Sequence, residues 1–181
     1  MDSTQEGLSM DQGRVIWLTG LSGAGKTTLA KALQQALPGS LLLDGDALRS
    51  VLGSSQTGFD RESRLALALT YARLCKLLAD QGATVITATI SLFHAVHAWN
   101  RENIHNYLEI FLDVPENIRR QRDPKGLYAT QPQNSKPSIA GIDVAVEFPL
   151  QPDICITHHV SVQDACSLVL KKLTECERRD G

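Results

Sequence analysis

The sequence has no apolar run approaching the roughly 20 residues that a membrane-spanning helix requires. Its 181 residues carry a formal net charge of -2, so it lacks the basic excess that is typical of nucleic-acid-binding domains. Residues 1–13 are polar and lack the basic and then apolar pattern of a signal peptide. We therefore expect a flexible N-terminal tail, a cytoplasmic protein, and neither a nucleic-acid partner nor a membrane partner.

Cysteine is scarce, and none of the four cysteines belongs to a C-x-x-C pair, which argues against a zinc site. In a reducing compartment they are expected to be free thiols, and Cys75 falls within a helical pattern and is expected in the core. The chain also lacks an N-K-x-D motif, which a GTPase would use to select its base. These absences exclude several function classes and leave an ordinary soluble globular composition.

Short apolar runs alternate with helical patterns along the chain. Because a buried strand reads as a short run of apolar residues, the alternation predicts an α/β fold with a five-stranded parallel sheet and helices on both faces. The length suits a single domain, expected at residues 14–176, with a C-terminal tail at 177–181. The expected strands lie at 14–19, 40–43, 84–89, 107–113 and 153–157, and the expected helices at 26–37, 47–52, 60–81, from about 94, 115–122 and 162–176.

A glycine-rich phosphate-binding motif follows the first predicted strand. The stretch matches G-x-x-x-x-G-K-[ST], and a helical pattern follows it, as a P-loop requires. Backbone N–H groups and the helix N-terminus can then bind the phosphates of ATP, Lys26 can contact the β- and γ-phosphates, and Thr27 can bind Mg²⁺. The pattern predicts the P-loop NTPase fold with ATP and Mg²⁺ bound. The predicted nucleotide-binding residues are Gly20, Leu21, Ser22, Gly23, Ala24, Gly25, Lys26, Thr27 and Thr28.

Two aspartates follow the second predicted strand, at the edge of a parallel sheet where ligands bind. Kinases use carboxylates to orient Mg²⁺ and to accept the proton of the acceptor hydroxyl. We assign Asp44 to the magnesium site beside Thr27, and Asp46 to the catalytic base or acceptor-orienting group, with Lys26 as the other catalytic residue. The alternative is that both aspartates only form a turn and cap a helix, as aspartate often does.

Residues 123–149 are rich in Pro, Gly, Ser, Asn and Gln and show little periodicity. A loop of this length within a compact domain usually has a function, so we predict a lid over the ligand site. A binding module without catalysis would be expected to lack Asp46 or this lid. The combination therefore favours a kinase for a small acceptor.

Several segments together resemble the adenylylsulfate (APS) kinase family, over about residues 15–164. The family uses MgATP to phosphorylate the 3′-hydroxyl of APS in sulfate activation, and the resemblance also implies a homodimer. A P-loop alone would not separate this family from other kinases, and RDPKGLY is the most family-specific segment. The resemblance is carried by GLSGAGKTT at 20–28, LDGD at 43–46 with Arg49, Gly58-Phe59 with Arg64, KLLADQG at 76–82, Ile90-Ser91, RDPKGLY at 122–128 and GID at 141–143.

The resemblance implies roles for particular side chains. The acceptor would be contacted by Asp46, Arg49 and Arg64, with Phe59 stacked on its base, and the acceptor site would also include Ile90, Ser91 and Lys125. Arg122 and Lys125 would hold the adenine of ATP and begin the lid. Ser91 matches a serine described in the family as a phosphorylated catalytic intermediate, but a direct in-line transfer needs no covalent step, so a hydrogen bond near the γ-phosphate would suffice. Taken singly, the arginines could be surface residues and Phe59 a core residue.

The departures from the family pattern concentrate in the acceptor half. Ala47 stands where the family has Asn, Leu67 where it has the Asn of N-I-R-R, His94 where it has Arg, and Ile139 where it has a second stacking Phe. The chain is therefore either a divergent APS kinase or a relative with another nucleotide-like acceptor. One such group phosphorylates cytidine diphosphoramidate in capsule-sugar modification, and residues 91–103 are compatible with it.

Two histidines lie three residues apart on a predicted helix. The spacing of His94 and His97 would suit a pair of metal ligands, but no third ligand is evident. We therefore expect an exposed helical pair.

Overall fold

The computed structural model describes residues 13–52, 60–122 and 145–180. Five strands form one parallel sheet in the order β2-β3-β1-β4-β5, which confirms the predicted fold class. Phe59, Lys125, Ile139 and the residues of the predicted lid up to 144 lie outside the described residues. The elements are β1 (Arg14–Thr19), α1 (Lys26–Ala36), β2 (Leu41–Asp44), α2 (Gly45–Leu52), α3 (Arg61–Ala79), β3 (Thr84–Thr89), α4 (His94–Asn103), β4 (Tyr107–Asp113), α5 (Glu116–Arg122), β5 (Ile154–Thr157) and α6 (Val162–Asp180).

The central strand β1 is buried on both faces because helices cover the sheet on each side. Side chains alternate across a strand, so Ile16 and Leu18 pack with α1 and α6, whereas Val15 and Trp17 pack with α3 and α4. All four side chains are fully buried. The sheet therefore has two apolar layers, with Thr87 and Glu109 as buried polar side chains within its strands.

Several element boundaries differ from the expected ones. Strand β2 ends at Asp44 rather than at residue 43, and α2 begins at Gly45 rather than at residue 47. The Asp44 carboxylate accepts a hydrogen bond from the Asp46 N–H at 3.0 Å, which satisfies a donor in the first turn of α2. Helix α6 continues to Asp180 instead of ending at residue 176, because residues 177–180 contain no Gly or Pro that would break it.

Helix α3 begins as expected, with the Asp60 carboxylate accepting a hydrogen bond from the Ser63 N–H at 2.9 Å. Within residues 13–52, 60–122 and 145–180, every helix is too short or too polar to span a membrane.

Cys75 lies in the core, as predicted, with its Sγ atom 2.8 Å from Thr87 Oγ1. Burial raises the pKa of its thiol to about 12. Because the thiolate is the nucleophile, only about 10⁻⁴ of this thiol is reactive at pH 8. We expect N-ethylmaleimide to modify the exposed Cys155 and Cys176 in the folded protein and to spare Cys75 until the protein is unfolded. Peptide mass spectrometry measures this, and equal labelling of Cys75 and Cys155 would contradict it.

Candidate active site

The P-loop, residues 20–28, connects β1 to α1 in a backbone conformation that favours glycine. Gly20, Gly23 and Gly25 have φ angles of 149°, 79° and 99°. A Cβ atom at Gly20 would lie 2.8 Å from the Leu112 carbonyl oxygen, and one at Gly23 would lie 2.9 Å from the Arg119 carbonyl oxygen. The loop is therefore packed directly against backbone at the end of β4 and in α5, which leaves no room for a side chain at either position.

Lys26 places a positive charge within this loop. Its Nζ atom donates hydrogen bonds to the carbonyl oxygens of Gly20 at 2.7 Å and Leu21 at 2.9 Å. The side chains of Leu21 and Ala24 are buried and fix the loop to the hydrophobic core. The arrangement combines a lysine, a helix N-terminus and a glycine-rich backbone, which together suit a polyphosphate.

Thr27 and Asp44 meet beside the P-loop. The Thr27 hydroxyl donates to Asp44 Oδ2 at 2.8 Å, and Asp44 Oδ1 accepts from the Asp46 N–H. A hydroxyl and a carboxylate are oxygen ligands of the kind that Mg²⁺ prefers, and Mg²⁺ usually keeps several waters and binds substrate phosphates. No cluster of three or more His, Cys, Asp or Glu side chains suited to a metal occurs among the described residues. This pair thus fits Mg²⁺ bound together with a nucleotide, and does not form a complete metal site by itself.

A cleft of about 830 Å³ opens at the carboxyl edge of the sheet. Asp46 and Arg49 on α2 line it, and Arg64 lines it from α3. Burial, and then the positive charge of Arg49, lower the pKa of Arg64, so the two guanidinium groups are close enough to repel one another. An anionic ligand would relieve that repulsion, and guanidinium groups suit bidentate contacts with phosphate or sulfate.

One face of α3 forms a wall of this cleft. Arg64, Leu67, Ala68 and Tyr71 follow the spacing i, i+3, i+4, i+7, which brings side chains to the same side of a helix. The Tyr71 hydroxyl donates to the Gly45 carbonyl oxygen at 3.2 Å, and burial raises its pKa. Sequence reasoning missed Tyr71, although its spacing from Arg64 was the signal that could have found it.

Ser91 follows β3 in an unusual backbone conformation. Its φ angle is 29°, and it is the one non-glycine residue with a positive φ in the described part of the chain. Such a conformation costs about 1–3 kcal/mol and is typical of functional sites. Ser91 lines the cleft, its Oγ atom lies 2.8 Å from Thr89 Oγ1, and its carbonyl oxygen accepts from the Phe93 N–H at 3.0 Å.

The expectation of an exposed histidine pair on α4 is wrong for one of its two members. His94 is exposed, and its Nε2 atom lies 2.9 Å from the Phe148 carbonyl oxygen. His97 is buried, because its ring lies between Ser91 and the buried Glu109. Burial lowers the pKa of His97, while Glu109 acts in the opposite direction.

Glu147 forms hydrogen bonds to three residues beside the cleft. Its carboxylate accepts hydrogen bonds from Arg61 Nη2 at 2.5 Å and from the His94 N–H at 2.7 Å, and its own N–H donates to the Leu92 carbonyl oxygen at 3.0 Å. These contacts join the starts of α3 and α4 to the segment that follows residue 144. No local sequence pattern pointed to Glu147, because its partners are 53 to 86 residues away in the chain.

A second cleft of about 240 Å³ lies on the other side of the P-loop. Arg122 and Thr28 line it together with Thr157, His158 and Val160, which belong to the end of β5 and the loop after it. The predicted nucleotide-binding residue Arg122 thus borders both clefts. Sequence reasoning assigned no role to His158 or Val160, which lack any motif.

The structure brings the described predicted residues together around the P-loop. Gly20, Leu21 and Ala24 belong to the loop without lining the main cleft, while Phe59 and Lys125 lie outside the described residues. The individual roles of all these residues stay predictions. The predicted residues that line the main cleft are Ser22, Gly23, Gly25, Lys26, Thr27, Thr28, Asp44, Asp46, Arg49, Arg64, Ile90, Ser91 and Arg122.

A P-loop at the carboxyl edge of a five-stranded parallel sheet, with the Asp44 carboxylate beside Thr27, defines the class of P-loop phosphotransferases. The adenylylsulphate kinase family matches residues 12–157 of the chain. The protein therefore belongs to the adenylylsulphate kinase family, and it is an ATP-binding phosphotransferase.

Individual relatives agree with the family but differ in their acceptors. The chain is 40% identical over 161 residues to the adenylyl-sulfate kinase of Pseudomonas aeruginosa, covering 86% of this chain and 82% of the relative. It is 37% identical over 165 residues to the cytidine diphosphoramidate kinase of Campylobacter jejuni, covering 88% and 95%. The structure of the Mycobacterium tuberculosis APS kinase CysC in complex with AMPPNP and APS superposes with a TM-score of 0.81 at 32% identity, covering 91% of this chain and 98% of that one.

We expect Asp44→Asn to raise the Mg²⁺ concentration needed for half-maximal AMPPNP binding by about tenfold or more, because it removes the negative charge beside Thr27. Calorimetric titration with AMPPNP at a series of Mg²⁺ concentrations measures the effect. Asp80→Asn is the matched control, since Asp80 lies in an exposed ion pair with Lys76 at the end of α3. An Asp44→Asn protein with the Mg²⁺ dependence of the wild type would make Asp44 a turn residue only.

Proposed function

We propose that the protein transfers the γ-phosphoryl group of ATP to the 3′-hydroxyl of adenylyl sulfate, giving 3′-phosphoadenylyl sulfate in sulfate activation. The observation that carries this proposal is a single cleft with the P-loop on one side and two guanidinium groups on the other. The adenylyl-sulfate kinase relatives and the structural likeness to an APS kinase support it.

ATP would bind with its phosphates on residues 20–28. Lys26 and the backbone N–H groups of the loop would stabilise the charge on the transferring phosphoryl group. The adenine would lie in the second cleft, where it could stack on the planar guanidinium group of Arg122 and pack against the apolar side chain of Val160. Thr27 and Asp44 would hold Mg²⁺, whose chemistry is to neutralise charge on the phosphates.

The acceptor would lie against α2 and α3. Arg49 and Arg64 would bind its phosphate–sulfate group, since both line the cleft. Asp46, exposed at the start of α2, would accept the proton of the reacting hydroxyl. Ser91 would donate a hydrogen bond to the transferring group, so no phosphoserine is required.

Other features remain predictions of this proposal. The lid at about residues 123–149 would exclude water and so limit wasteful hydrolysis of ATP. The hydrogen bonds of Glu147 to Arg61 and His94 support this, since they fix the described end of that segment to the starts of α3 and α4. A homodimer and a cytoplasmic location also stay predictions.

A second acceptor, cytidine diphosphoramidate, is favoured by a specific observation on the same cleft. Ala47 and Leu67 both line it, and both are apolar where APS kinases carry an amide. Relative to APS kinases, the chain thus lacks an amide side chain at two positions in the cleft. A polar group of adenylyl sulfate buried against Ala47 or Leu67 would have no hydrogen-bond partner at that position. The Campylobacter jejuni relative supports this second candidate.

We expect purified protein to release ADP from ATP with adenylyl sulfate, and to do so faster than with cytidine diphosphoramidate. A coupled ADP assay with each nucleotide separately measures this, with Lys26→Ala as the inactive variant and Lys76→Ala, on the exposed part of α3, as its matched control. Turnover with cytidine diphosphoramidate alone would establish the second candidate. Turnover with neither nucleotide would overturn both acceptors, and an active Lys26→Ala protein would overturn the P-loop assignment.

The two apolar positions provide an independent prediction about acceptor choice. We expect Ala47→Asn with Leu67→Asn to raise kcat/KM for adenylyl sulfate by about thirtyfold, because each restored amide can contribute a hydrogen bond of about 1 kcal/mol. Steady-state kinetics with ATP saturating measures it. Ala66→Asn, exposed on α3 beside Leu67, serves as the control for adding an amide without lining the cleft. A fall in kcat/KM with adenylyl sulfate would show that the apolar pair suits the acceptor.

A further inference from the structure

A buried histidine lies directly behind the acceptor cleft and is not used by the reaction as described. His97 is 5% exposed, and its Nε2 atom lies 3.1 Å from the carbonyl oxygen of Ser91. A carbonyl oxygen can only accept a hydrogen bond, so this contact requires the proton on Nε2. His97 therefore donates to the backbone of a residue that lines the cleft.

The Ser91 carbonyl needs this donor because of the conformation around it. With a φ angle of 29°, Ser91 occupies a region that L-residues rarely adopt, so surrounding contacts must hold it there. Two donors meet at its carbonyl oxygen, the Phe93 N–H at 3.0 Å and His97 Nε2. The Phe93 contact is local, spanning two residues, whereas His97 ties the loop to α4. Loss of the histidine would leave only the local contact.

A buried polar network lies next to the ring on the side away from Ser91. His97 Nδ1 lies 3.7 Å from Glu109 Oε1, and Glu109 is 1% exposed. Arg101 donates to Glu109 Oε2 at 2.9 Å, and the Tyr107 hydroxyl donates to Oε1 at 3.2 Å. The Glu109 N–H in turn donates to Asp153 Oδ2 at 2.8 Å. This network joins α4, β4 and the residue before β5, so it fixes the Glu109 side chain beside the ring.

We propose that His97 is a positioning residue for the acceptor site, holding Ser91 and its neighbour Ile90 in the cleft wall through the Nε2–Ser91 carbonyl hydrogen bond. The inference rests on the proposed function, since it makes the cleft wall part of acceptor recognition. His97 itself does not line the cleft and so is not a catalytic residue. Its effect would fall on the acceptor and on the transferring group that Ser91 would contact rather than on ATP binding, because the residues that would hold ATP line the P-loop and the second cleft.

Steady-state kinetics with three variants test this assignment. His97→Leu removes the donor, while His97→Gln retains a side-chain N–H at a position close to that of Nε2. We expect His97→Leu to lower kcat/KM for the acceptor by about tenfold with KM for ATP within about twofold of wild type, and His97→Gln to restore most of the loss. Val96→Ala is the matched control, since Val96 is fully buried on α4 in the α3–α4 core and should reduce stability alone.

Hydrogen exchange of the peptide that contains residues 89–93 provides a readout that does not depend on the acceptor. We expect faster exchange there in His97→Leu than in Val96→Ala, and near-wild-type exchange in His97→Gln. Equal exchange in His97→Leu and Val96→Ala, or equal effects on the KM of ATP and acceptor, would overturn the assignment. If the wild type phosphorylates neither nucleotide, the proposed acceptors fail, and the exchange result alone decides whether His97 positions Ser91.

Discussion

The structure depends on one turn, the passage from β1 into α1. Because β1 is the middle strand of the sheet, this turn emerges at the centre of the carboxyl edge. It packs so closely on the Leu112 and Arg119 carbonyl oxygens that Gly20 and Gly23 have no space for a side chain. The loop that would hold the phosphates is therefore also a packing element between β1, β4 and α5. A change that loosens it would disturb the sheet edge and the nucleotide site together.

Charge is distributed around this turn in an alternating arrangement. Lys26 is positive, the Asp44–Asp46 pair is negative, and the Arg49–Arg64 pair beyond it is positive again. Lys26 follows β1, Asp44, Asp46 and Arg49 follow β2, and Arg64 lies on α3, so the order of the elements sets the order of the charges. A nucleoside triphosphate would lie against Lys26, and an anionic acceptor would lie against Arg49 and Arg64. The two carboxylates would then lie between the ligands, next to the reacting atoms. This order is what an in-line phosphoryl transfer requires.

The sheet and the phosphate-binding half were predictable because their signals are local. Apolar runs identify strands, and the spacing of Gly20, Gly25, Lys26 and Thr27 identifies the loop by itself. The placement of Asp44 beside Thr27 followed from topology, since the carboxyl ends of all the parallel strands meet at the same edge of the sheet. These inferences needed only the chain direction and the hydrophobic pattern.

The rest of the site was not predictable because it depends on long-range contacts between side chains. Glu109 lies inside an apolar strand sequence, and its burial makes sense only once Arg101 and Tyr107 are seen to bind it. His97 and His94 have the same local pattern, yet one faces Glu109 and the other faces Phe148. Glu147 contacts residues that precede it by 53 and 86 positions. A single sequence contains no periodicity that would mark such partners.

The physical separation of the two halves of the site explains how the acceptor could differ between members of one family. Under the proposed function, the phosphates would lie on the loop after β1 and beside Asp44, whereas the acceptor would lie against α2, α3 and the residues after β3. Ala47, Leu67 and Leu92 all line the cleft on that side. Exchanging a polar side chain for an apolar one there changes which acceptor groups are left unpaired, at a cost of about 1–3 kcal/mol each, without moving Lys26. We therefore expect acceptor preference to depend on the polarity of this wall, and the transfer itself to depend on the glycine turn.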